Sequence, residues 1–261
     1  MKYGFLGCGN MGSAIARALA KATTDMVFTD RSKKAEKLAL ELGCIYGSSH
    51  VVARCDRIFL AVKPNMMASV LEPLREVLAQ RKPLLITMAA GLTIQKIEEM
   101  VGTRLPVIRI MPNTPVSVGK GMIQYCPNDL VDEDTLQDFL SDMRFTGKLD
   151  RLDEHLIDAA TALSGCGPAY MYLFMEALAD GAVACGIPRA KAMEYAAATM
   201  AGAAEMVMQT GLHPGALKDA VCSPGGSTIM GVRTLEQHGL RAAAMDCVIA
   251  AYEKSKQLGK S

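Results

Sequence analysis

A glycine-rich turn between an apolar strand and a helix stands near the start of the chain, and it restricts the fold more than any other feature. Residues 3–7 have the apolar character of a buried strand, and residues 11–21 repeat apolar side chains at helical spacing. The turn between them, GCGNMG at residues 7–12, fits the pattern GxGxxG. Because this pattern follows a strand and opens a helix, it predicts the first βαβ unit of a Rossmann-type sheet with a dinucleotide at the turn.

The three glycines of the turn have separate expected roles. Gly7 permits the tight turn, Gly9 lets the backbone approach the pyrophosphate, and Gly12 lets the helix pack closely on the strand. The pyrophosphate would rest on the free N–H groups at the helix N-terminus.

The first half of the chain alternates further strands and helices. Near-continuous apolar runs at 56–62 and 83–88 predict central strands covered on both faces, and further strands are expected at 26–30, 106–111 and 121–126. Helical spacing is found over 33–42, where Ser32 is the expected cap and Gly43 the end, and over 67–78. This alternation predicts an α/β fold with a doubly wound parallel sheet.

Strand patterns disappear after Leu152. Helices are expected over 154–163, 169–185, 189–209, 215–221 and 240–258. The alanine- and glycine-rich helix at 189–209 favours close packing, either between subunits or within one chain. We therefore expect two domains: an NAD(P)-binding Rossmann domain at 1–152 and an all-α domain at 153–261.

The residues after the second strand give conflicting indications about the cofactor. Asp30 ends this strand, where an acid commonly accepts hydrogen bonds from the ribose hydroxyls and favours NAD. Arg31, Ser32, Lys33 and Lys34 follow at once, and these groups suit a 2′-phosphate. The pattern alone leaves NAD and NADP open.

Composition excludes several classes of partner. With 28 basic and 27 acidic residues the formal charge is +1, which gives no reason to expect nucleic acid or an anionic membrane. The longest charge-free apolar-rich run falls short of the roughly 20 residues that cross a bilayer. The eight cysteines show no metal-site spacing, so no metal is expected and we interpret them as small, buried, reduced side chains. The chain also opens on a strand without a signal peptide, and a cytoplasmic location is predicted.

Six segments carry a resemblance to a known family: GFLGCGNMGSAI, FLAVKP, AAGLT, RIMPNTP, LSGCGPAY and SPGGSTIMGVRTLE. In this order and spacing the chain resembles pyrroline-5-carboxylate reductase. The resemblance implies reduction of the cyclic imine 1-pyrroline-5-carboxylate to L-proline, the last step of proline biosynthesis, with NADP(H) favoured and NAD(H) as the alternative. It also implies a Rossmann domain followed by a helical domain that forms an intertwined homodimer, with a decamer as the larger assembly.

The resemblance further implies roles for individual residues. Those at the pyrophosphate would be Gly7, Gly9, Asn10, Met11 and Gly12. Those on the adenosine side would be Arg31, Ser32 and Ser48, with Ser48 standing where the family often has asparagine; Asp30 is expected there from its place at the strand end. Those on the path to the nicotinamide would be Val62, Lys63, Pro64, Ala89, Ala90 and Gly91. Asn113, in the matching MPNTP turn, would also bind the cofactor.

A second glycine-rich loop, SPGGST at residues 223–228, supplies the expected substrate site. Its free backbone N–H groups and hydroxyls at a helix start suit a small carboxylate. The substrate-binding residues would be Ser223, Gly225, Gly226, Ser227 and Thr228. Thr228 resembles the family's threonine that bonds the imine nitrogen, and it is the expected catalytic residue. An imine is basic enough to arrive protonated, so hydride transfer needs position and a hydrogen bond rather than a strong acid.

Two alternative functions remain. The β-hydroxyacid dehydrogenases have a similar build, but they place a catalytic lysine after a glycine-rich turn of the second domain, and no lysine occurs here between Lys148 and Lys191. A nucleotide sensor or a pyridoxal-phosphate-handling protein without turnover is the other alternative. The intact SPGGST loop argues against it, because a sensor needs no carboxylate cradle.

Overall fold

The structure, a computed structural model, describes residues 2–258 and contains one eight-stranded sheet. The strands are β1 Tyr3–Leu6, β2 Met26–Thr29, β3 Ile45–Tyr46, β4 Arg57–Leu60, β5 Leu84–Thr87, β6 Val107–Met111, β7 Gly121–Pro127 and β8 Gly147–Arg151. Their order across the sheet is β3-β2-β1-β4-β5-β6-β7-β8. The predicted α/β class with a Rossmann-type sheet is confirmed.

The first strand lies at the point where the strand order reverses. Its Tyr3 pairs with Met26 of β2 on one side and with Arg57 of β4 on the other, both in parallel. The chain runs outward from β1 through β2 to β3, and then returns to β4 and continues through β5 to β6. In such sheets the ligand crevice opens outside the carboxyl ends of the two central strands, here β1 and β4.

The sequence predicted a parallel sheet, but the sheet is not parallel throughout. β7 runs antiparallel to β6, with Ile110 opposite Tyr125, and β8 is parallel to β7. The connection from Met111 to Gly121 holds only a short 3₁₀ turn, Thr114–Val118. This connection is too short for the crossover of a dozen or more residues that a parallel pair requires, so the chain reverses direction.

Two edge strands were not predicted. β3 consists of two exposed residues, and β8 is a mostly polar strand with little burial. Neither carries the apolar run that marks the central strands, so both lack the signal on which the prediction depended.

Thirteen α-helices occur among residues 2–258. They are α1 Asn10–Leu19, α2 Lys34–Leu42, α3 Ser49–Val52, α4 Met67–Leu71, α5 Arg75–Arg81, α6 Ile94–Val101, α7 Glu133–Met143, α8 Ile157–Ala160, α9 Gly167–Ala184, α10 Arg189–Thr210, α11 Pro214–Ala220, α12 Ser227–Gln237 and α13 Leu240–Leu258. The predicted helices omitted α3, α6 and α7, and for α12 only its start after the SPGGST loop was predicted. The expected helix at 154–163 is instead a 3₁₀ turn, the short α8 and a π-helical turn, Thr161–Gly165.

The expected cap of α2 is also different. Lys33 occupies the N-cap position without a side-chain bond, whereas Ser32 lies one residue earlier and its hydroxyl accepts the Lys34 amide at 3.3 Å. Gly43 ends the helix as predicted, with a φ of 65° in the left-handed region.

Alternation along the strands builds a separate core on each face of the sheet. On one face, the rings of Phe5 and Phe59 stack at 4.5 Å and pack with Ile15 and Leu19 of α1. On the other face, Leu60 packs with the apolar sides of α4, α5 and α6. The two cores hold the central strands, and therefore the turns that leave their carboxyl ends, in fixed positions.

The chain divides into two compact units, residues 2–166 with 251–258, and residues 167–250. The domain boundary predicted at 152/153 stays a prediction. In the second unit, α9 and α10 pack through Ala179, Ala192 and Ala196. Its helices leave many large apolar side chains exposed: Met171, Tyr172, Leu173, Tyr195, Met206, Met208, Met245 and Ile249. Within residues 2–258, no helix has the length and apolarity that crossing a membrane requires.

Candidate nucleotide site and substrate loop

The glycine-rich turn leaves β1 and enters α1, and its three glycines differ in what surrounds them. Gly7 has a φ of 101°, and a Cβ there would lie 2.6 Å from the Ala61 carbonyl oxygen. A Cβ at Gly12 would lie 2.8 Å from the Gly7 oxygen, so this glycine permits the close packing of helix and turn. A Cβ at Gly9 would have no protein atom within 4 Å. Gly7 and Gly12 therefore serve the fold, whereas Gly9 borders open space.

That open space adjoins the N-terminus of α1. Gly9 is the N-cap, and no side chain caps the helix. The first N–H groups of the helix, beginning at Asn10 and Met11, therefore remain available for an anion. Asn10 is exposed and Met11 is half-buried. The turn thus fits the pyrophosphate of a dinucleotide, as the sequence predicts.

Asp30, at the end of β2, is joined to this turn by hydrogen bonds. The Cys8 amide donates to Asp30 Oδ2 at 2.7 Å, and the amide and hydroxyl of Ser32 both donate to Oδ1 at 2.8 Å. The carboxylate therefore links the second residue of the glycine-rich turn to the start of the loop before α2.

These contacts change the ionisation of Asp30. Partial burial by itself would raise the pKa of its carboxyl group. The hydrogen bonds from Cys8 and Ser32, together with the charge of Lys34, outweigh burial and hold the pKa below its ordinary value. Asp30 is consequently an anion at neutral pH. In contrast, burial and the neighbouring Asp30 charge raise the pKa of the Cys8 thiol to about 12.

A cavity of about 330 Å³ opens beside β1 and β4. It is lined by Leu6, Gly7, Thr29, Asp30, Arg31, Ser49, Val62, Met66, Ser69, Val70 and Pro73. The predicted residues Gly7, Asp30, Arg31 and Val62 are therefore brought together. Ser48 is exposed at the N-cap of α3, and Ser49 lines the cavity in its place.

A second cavity, of about 480 Å³, follows the facing sides of α1 and α2. Gly9 and Asn10 line its end at the turn, and Lys34 lines it from α2. Basic side chains therefore stand beside the turn as well as in the loop before α2.

Three of the residues predicted near the nicotinamide follow β4. Val62 is half-buried, whereas Lys63 and Pro64 are exposed at the start of a 3₁₀ turn, Pro64–Met66. They lie at the carboxyl edge of the sheet, where the fold places ligands.

The loop between β5 and α6 carries three more predicted residues. Ala89 is buried, Ala90 is exposed, and Gly91 has a φ of 75°, which favours glycine. The loop is anchored where α6 begins, because the Ile94 amide donates to Glu154 Oε1 at 2.7 Å. The same oxygen accepts a bond from the buried Arg109 of β6 at 3.2 Å.

Asn113 has both groups of its amide bonded within the protein. Its Oδ1 accepts the Met122 amide at 2.9 Å, and its Nδ2 donates to the Ser164 carbonyl at 2.9 Å. The Ser164 hydroxyl in turn bonds Gln124 Oε1 at 3.0 Å. Asn113 therefore joins the MPNTP turn to the π-helical turn, a kind of helix irregularity that is frequent at functional sites.

The SPGGST loop, predicted to bind the substrate, lies in the second unit and runs into α12, which begins at Ser227. Gly225 has a φ of 68°, and the Gly226 amide closes a turn on the Ser223 carbonyl at 3.0 Å. Gly226 is the N-cap, and no side chain caps the helix, so the first N–H groups of α12 are free of intrahelical bonds. Ser227 and Thr228 are exposed. The predicted position of the loop at a helix start is confirmed.

Three further features bear on the chemistry of the chain: the lysine of the alternative enzyme class, metal sites and the cysteines. α9 follows the glycine-rich turn Gly165-Cys166-Gly167 and carries no lysine, so it lacks the group that a β-hydroxyacid dehydrogenase requires. Among residues 2–258, no three His, Cys, Asp or Glu side chains are grouped to hold a metal ion. The expectation of buried cysteines is wrong for most of them: Cys8 and Cys55 are buried, and the other six are partly or fully exposed.

Sequence reasoning missed several residues that shape the site. Ser69, Val70 and Pro73 line the first cavity from a helical segment whose apolar spacing gave no functional signal. Arg109 could have been found, because a charged residue inside the apolar strand VIRIM requires buried partners.

Comparisons with known proteins agree with this geometry. A family model described as pyrroline-5-carboxylate reductase dimerisation matches residues 154–258, and one described as NADP oxidoreductase, coenzyme F420-dependent, matches residues 2–91. The dimerisation match covers the helices with the exposed apolar side chains, and it supports self-association of this chain.

Relatives that match over nearly the whole chain point to the same family. The chain is 41% identical to pyrroline-5-carboxylate reductase of Escherichia coli (strain K12), over 100% of this chain and 99% of that protein. It is 38% identical to the enzyme of Methanosarcina acetivorans, over 99% and 98%. The crystal structure of Plasmodium falciparum pyrroline carboxylate reductase with NADP bound superposes with a TM-score of 0.89 at 38% identity, covering 99% of this chain and 98% of that one. The chain belongs to the pyrroline-5-carboxylate reductase family.

Proposed function

We propose that this chain takes hydride from NADPH in preference to NADH, and that the SPGGST loop holds the imino acid that receives it. The reaction is that of the family: reduction of the C=N bond of 1-pyrroline-5-carboxylate to give L-proline, the last step of proline biosynthesis. The observation that carries the proposal is the glycine-rich turn at the strand-order reversal, with the uncapped start of α1 beside it.

The residues present fit a nicotinamide dinucleotide. The space at Gly9 admits the pyrophosphate against the α1 N-terminus, and the cavity beside β1 and β4 has room for the adenosine. The nicotinamide would be bordered by two segments: Val62, Lys63 and Pro64 after β4, and the loop with Ala89, Ala90 and Gly91. When bound, this cofactor supplies the hydride.

The preference for NADPH rests on the charges around the adenosine cavity. Arg31 lines the cavity and is exposed, and Lys33 and Lys34 are exposed at the start of α2. These basic groups favour a 2′-phosphate through charge-assisted hydrogen bonds. NADP is bound in the solved Plasmodium falciparum relative.

The substrate loop would bind the carboxylate of the imino acid. Free N–H groups at the start of α12 and the hydroxyls of Ser223 and Ser227 offer donors, and the glycines leave room for the ring. Thr228 would hold the imine nitrogen by a hydrogen bond. No strong acid is needed, since a protonated imine already carries the proton that the product amine keeps.

The assembly belongs to the same proposal. The exposed apolar side chains of α9, α10 and α13 would be covered in a homodimer, and a decamer is the proposed larger assembly. A cytoplasmic location is likewise proposed, in a compartment that keeps the free cysteines reduced.

The test is nicotinamide absorbance at 340 nm with purified protein, 1-pyrroline-5-carboxylate and either NADPH or NADH, followed by identification of proline as the product. We expect both cofactors to be oxidised, with the larger kcat/KM for NADPH. A larger kcat/KM for NADH would overturn the cofactor proposal. Cofactor binding without oxidation, while pyrroline-2-carboxylate or a keto acid is reduced, would overturn the substrate assignment.

A further inference from the structure

We propose that Asp30 is a positioning residue that holds the glycine-rich turn in its binding conformation for NADPH and NADH alike, rather than the group that chooses between them. The inference rests on the proposed cofactor-binding function and deepens it. It departs from the usual role of an acid at the end of β2, which is to accept the ribose hydroxyls and favour NAD.

The first argument is the contact with Cys8. This residue is fully buried, and its amide donates to Asp30 Oδ2 at 2.7 Å. A buried N–H group that loses its acceptor carries the full cost of its desolvation. The turn would therefore shift to find another acceptor, and Gly9 and the start of α1 would move with it.

The second argument is the number of acceptor positions left on the carboxylate. Oδ1 already accepts two bonds from Ser32, its amide and its hydroxyl, which occupy both of its lone pairs. Oδ2 accepts the Cys8 amide and retains one position. A carboxylate that binds both ribose hydroxyls accepts one on each oxygen. Asp30 cannot do so, because its Oδ1 has no acceptor position left.

The third argument is charge. Three hydrogen bonds and the nearby Lys34 compensate the negative charge of Asp30. A carboxylate compensated in this way repels a 2′-phosphate less than a bare one does, and the exposed Arg31 lies in the same cavity. Loss of Asp30 should therefore change little in the relative affinity for the two cofactors.

The test compares Asp30→Asn and Asp30→Ala with the wild type by isothermal titration calorimetry with NADPH and with NADH. We expect both dissociation constants to rise by about tenfold in Asp30→Ala and by less in Asp30→Asn, which retains one acceptor oxygen. The ratio of the two constants should stay within about twofold of the wild-type ratio.

The matched control is Asp25→Asn. Asp25 is an exposed acid that, like Asp30, accepts a backbone amide, here from Lys2 at 3.0 Å, but it precedes β2 instead of following it. This variant should leave both dissociation constants unchanged.

A second readout separates positioning from general destabilisation. Hydrogen–deuterium exchange should accelerate in the peptide that contains Cys8 and Gly9 in both Asp30 variants, while peptides from α5 and α7 keep the wild-type rate. In steady-state assays, the KM for each cofactor should rise by a larger factor than kcat falls.

Three results would overturn the inference: weakened binding of NADH alone, tightened binding of NADPH, or unchanged binding of both. The first would make Asp30 a ribose acceptor, and the second would make it a barrier to the 2′-phosphate. If the wild-type protein bound neither cofactor, the proposed function would fail instead, so the two failures are distinguishable.

Discussion

The Glu154 carboxylate lies 3.2 Å from the Arg109 guanidinium, and the same oxygen accepts the Ile94 amide at which α6 begins. Arg109 also contacts Asp158 at 3.3 Å, and its side chain is only 2% exposed. One buried cation thus joins β6, the loop that carries Ala89–Gly91, and the segment before the π-helical turn.

The first prediction concerns this cation. Arg109→Ala should lower the free energy of unfolding by about 3 kcal/mol, because it leaves two carboxylates without their partner and opens a cavity. Glu154→Gln should cost less, since glutamine still accepts the Ile94 amide and Asp158 still faces Arg109. Urea denaturation at one protomer concentration measures both. An equal loss for the two variants would contradict this account of the network.

A second prediction concerns Thr228. Thr228→Ala should lower kcat by about 10- to 100-fold, the value of a hydrogen bond to a charged group, with little effect on the dissociation constant of NADPH. Thr228→Ser, which keeps the hydroxyl, should recover most of the loss. The control is Thr234→Ala on the same helix, whose hydroxyl bonds the Met230 carbonyl. Wild-type turnover in Thr228→Ala would remove Thr228 from the mechanism.

The glycines of the turn allow a third prediction. Gly9→Ala should fold with wild-type stability, because the new Cβ meets no protein atom, yet it should weaken NADPH binding by at least about tenfold, because it fills the space left for the pyrophosphate. Gly12→Ala should instead lower the free energy of unfolding by about 1–3 kcal/mol, because its Cβ would lie 2.8 Å from the Gly7 oxygen. Thermal denaturation and calorimetry separate the two effects. Equal losses of stability would show that Gly9 also serves the fold.

The central strands and the glycine-rich turn could be predicted because their signals are local. An apolar run marks a strand that is covered on both faces, and the pattern GxGxxG has a defined place after such a strand. The strand β7 was predicted but its antiparallel direction was missed, although the short connection after β6 leaves no room for a parallel crossover. The edge strand β8 could not be predicted, because it lacks an apolar run and its pairing with β7 depends on residues distant in sequence.

In the candidate site, too, local motifs predicted some features and not others. Gly7, Asp30, Arg31 and Val62 were named from motifs and resemblance, and the structure places them around one cavity. What Asp30 and Asn113 bond could not be predicted, because the Cys8 amide and the Ser164 carbonyl are backbone groups whose positions only the tertiary fold determines.

The last prediction tests a buried polar cluster at the opposite end of β1 from the glycine-rich turn. The Tyr3 hydroxyl donates to Asp142 at 2.8 Å, and Arg57 bonds Asp142 at 3.1 Å. Burial, which is the largest influence, raises the pKa of Tyr3, so its hydroxyl stays protonated and donates. Arg57 also reaches Asp138, whose side chain is 70% exposed, whereas that of Asp142 is 13% exposed.

Asp142→Ala should therefore lower the free energy of unfolding by about 3 kcal/mol, because it leaves Arg57 and the Tyr3 hydroxyl buried without their shared acceptor. Asp138→Ala removes an exposed partner of the same arginine and should cost less than about 1 kcal/mol. Urea denaturation measures the difference, and the dissociation constant of NADPH should not change in either variant. Similar losses for the two would mean that water reaches Asp142 as readily as Asp138, and that the cluster adds little to the stability of the sheet.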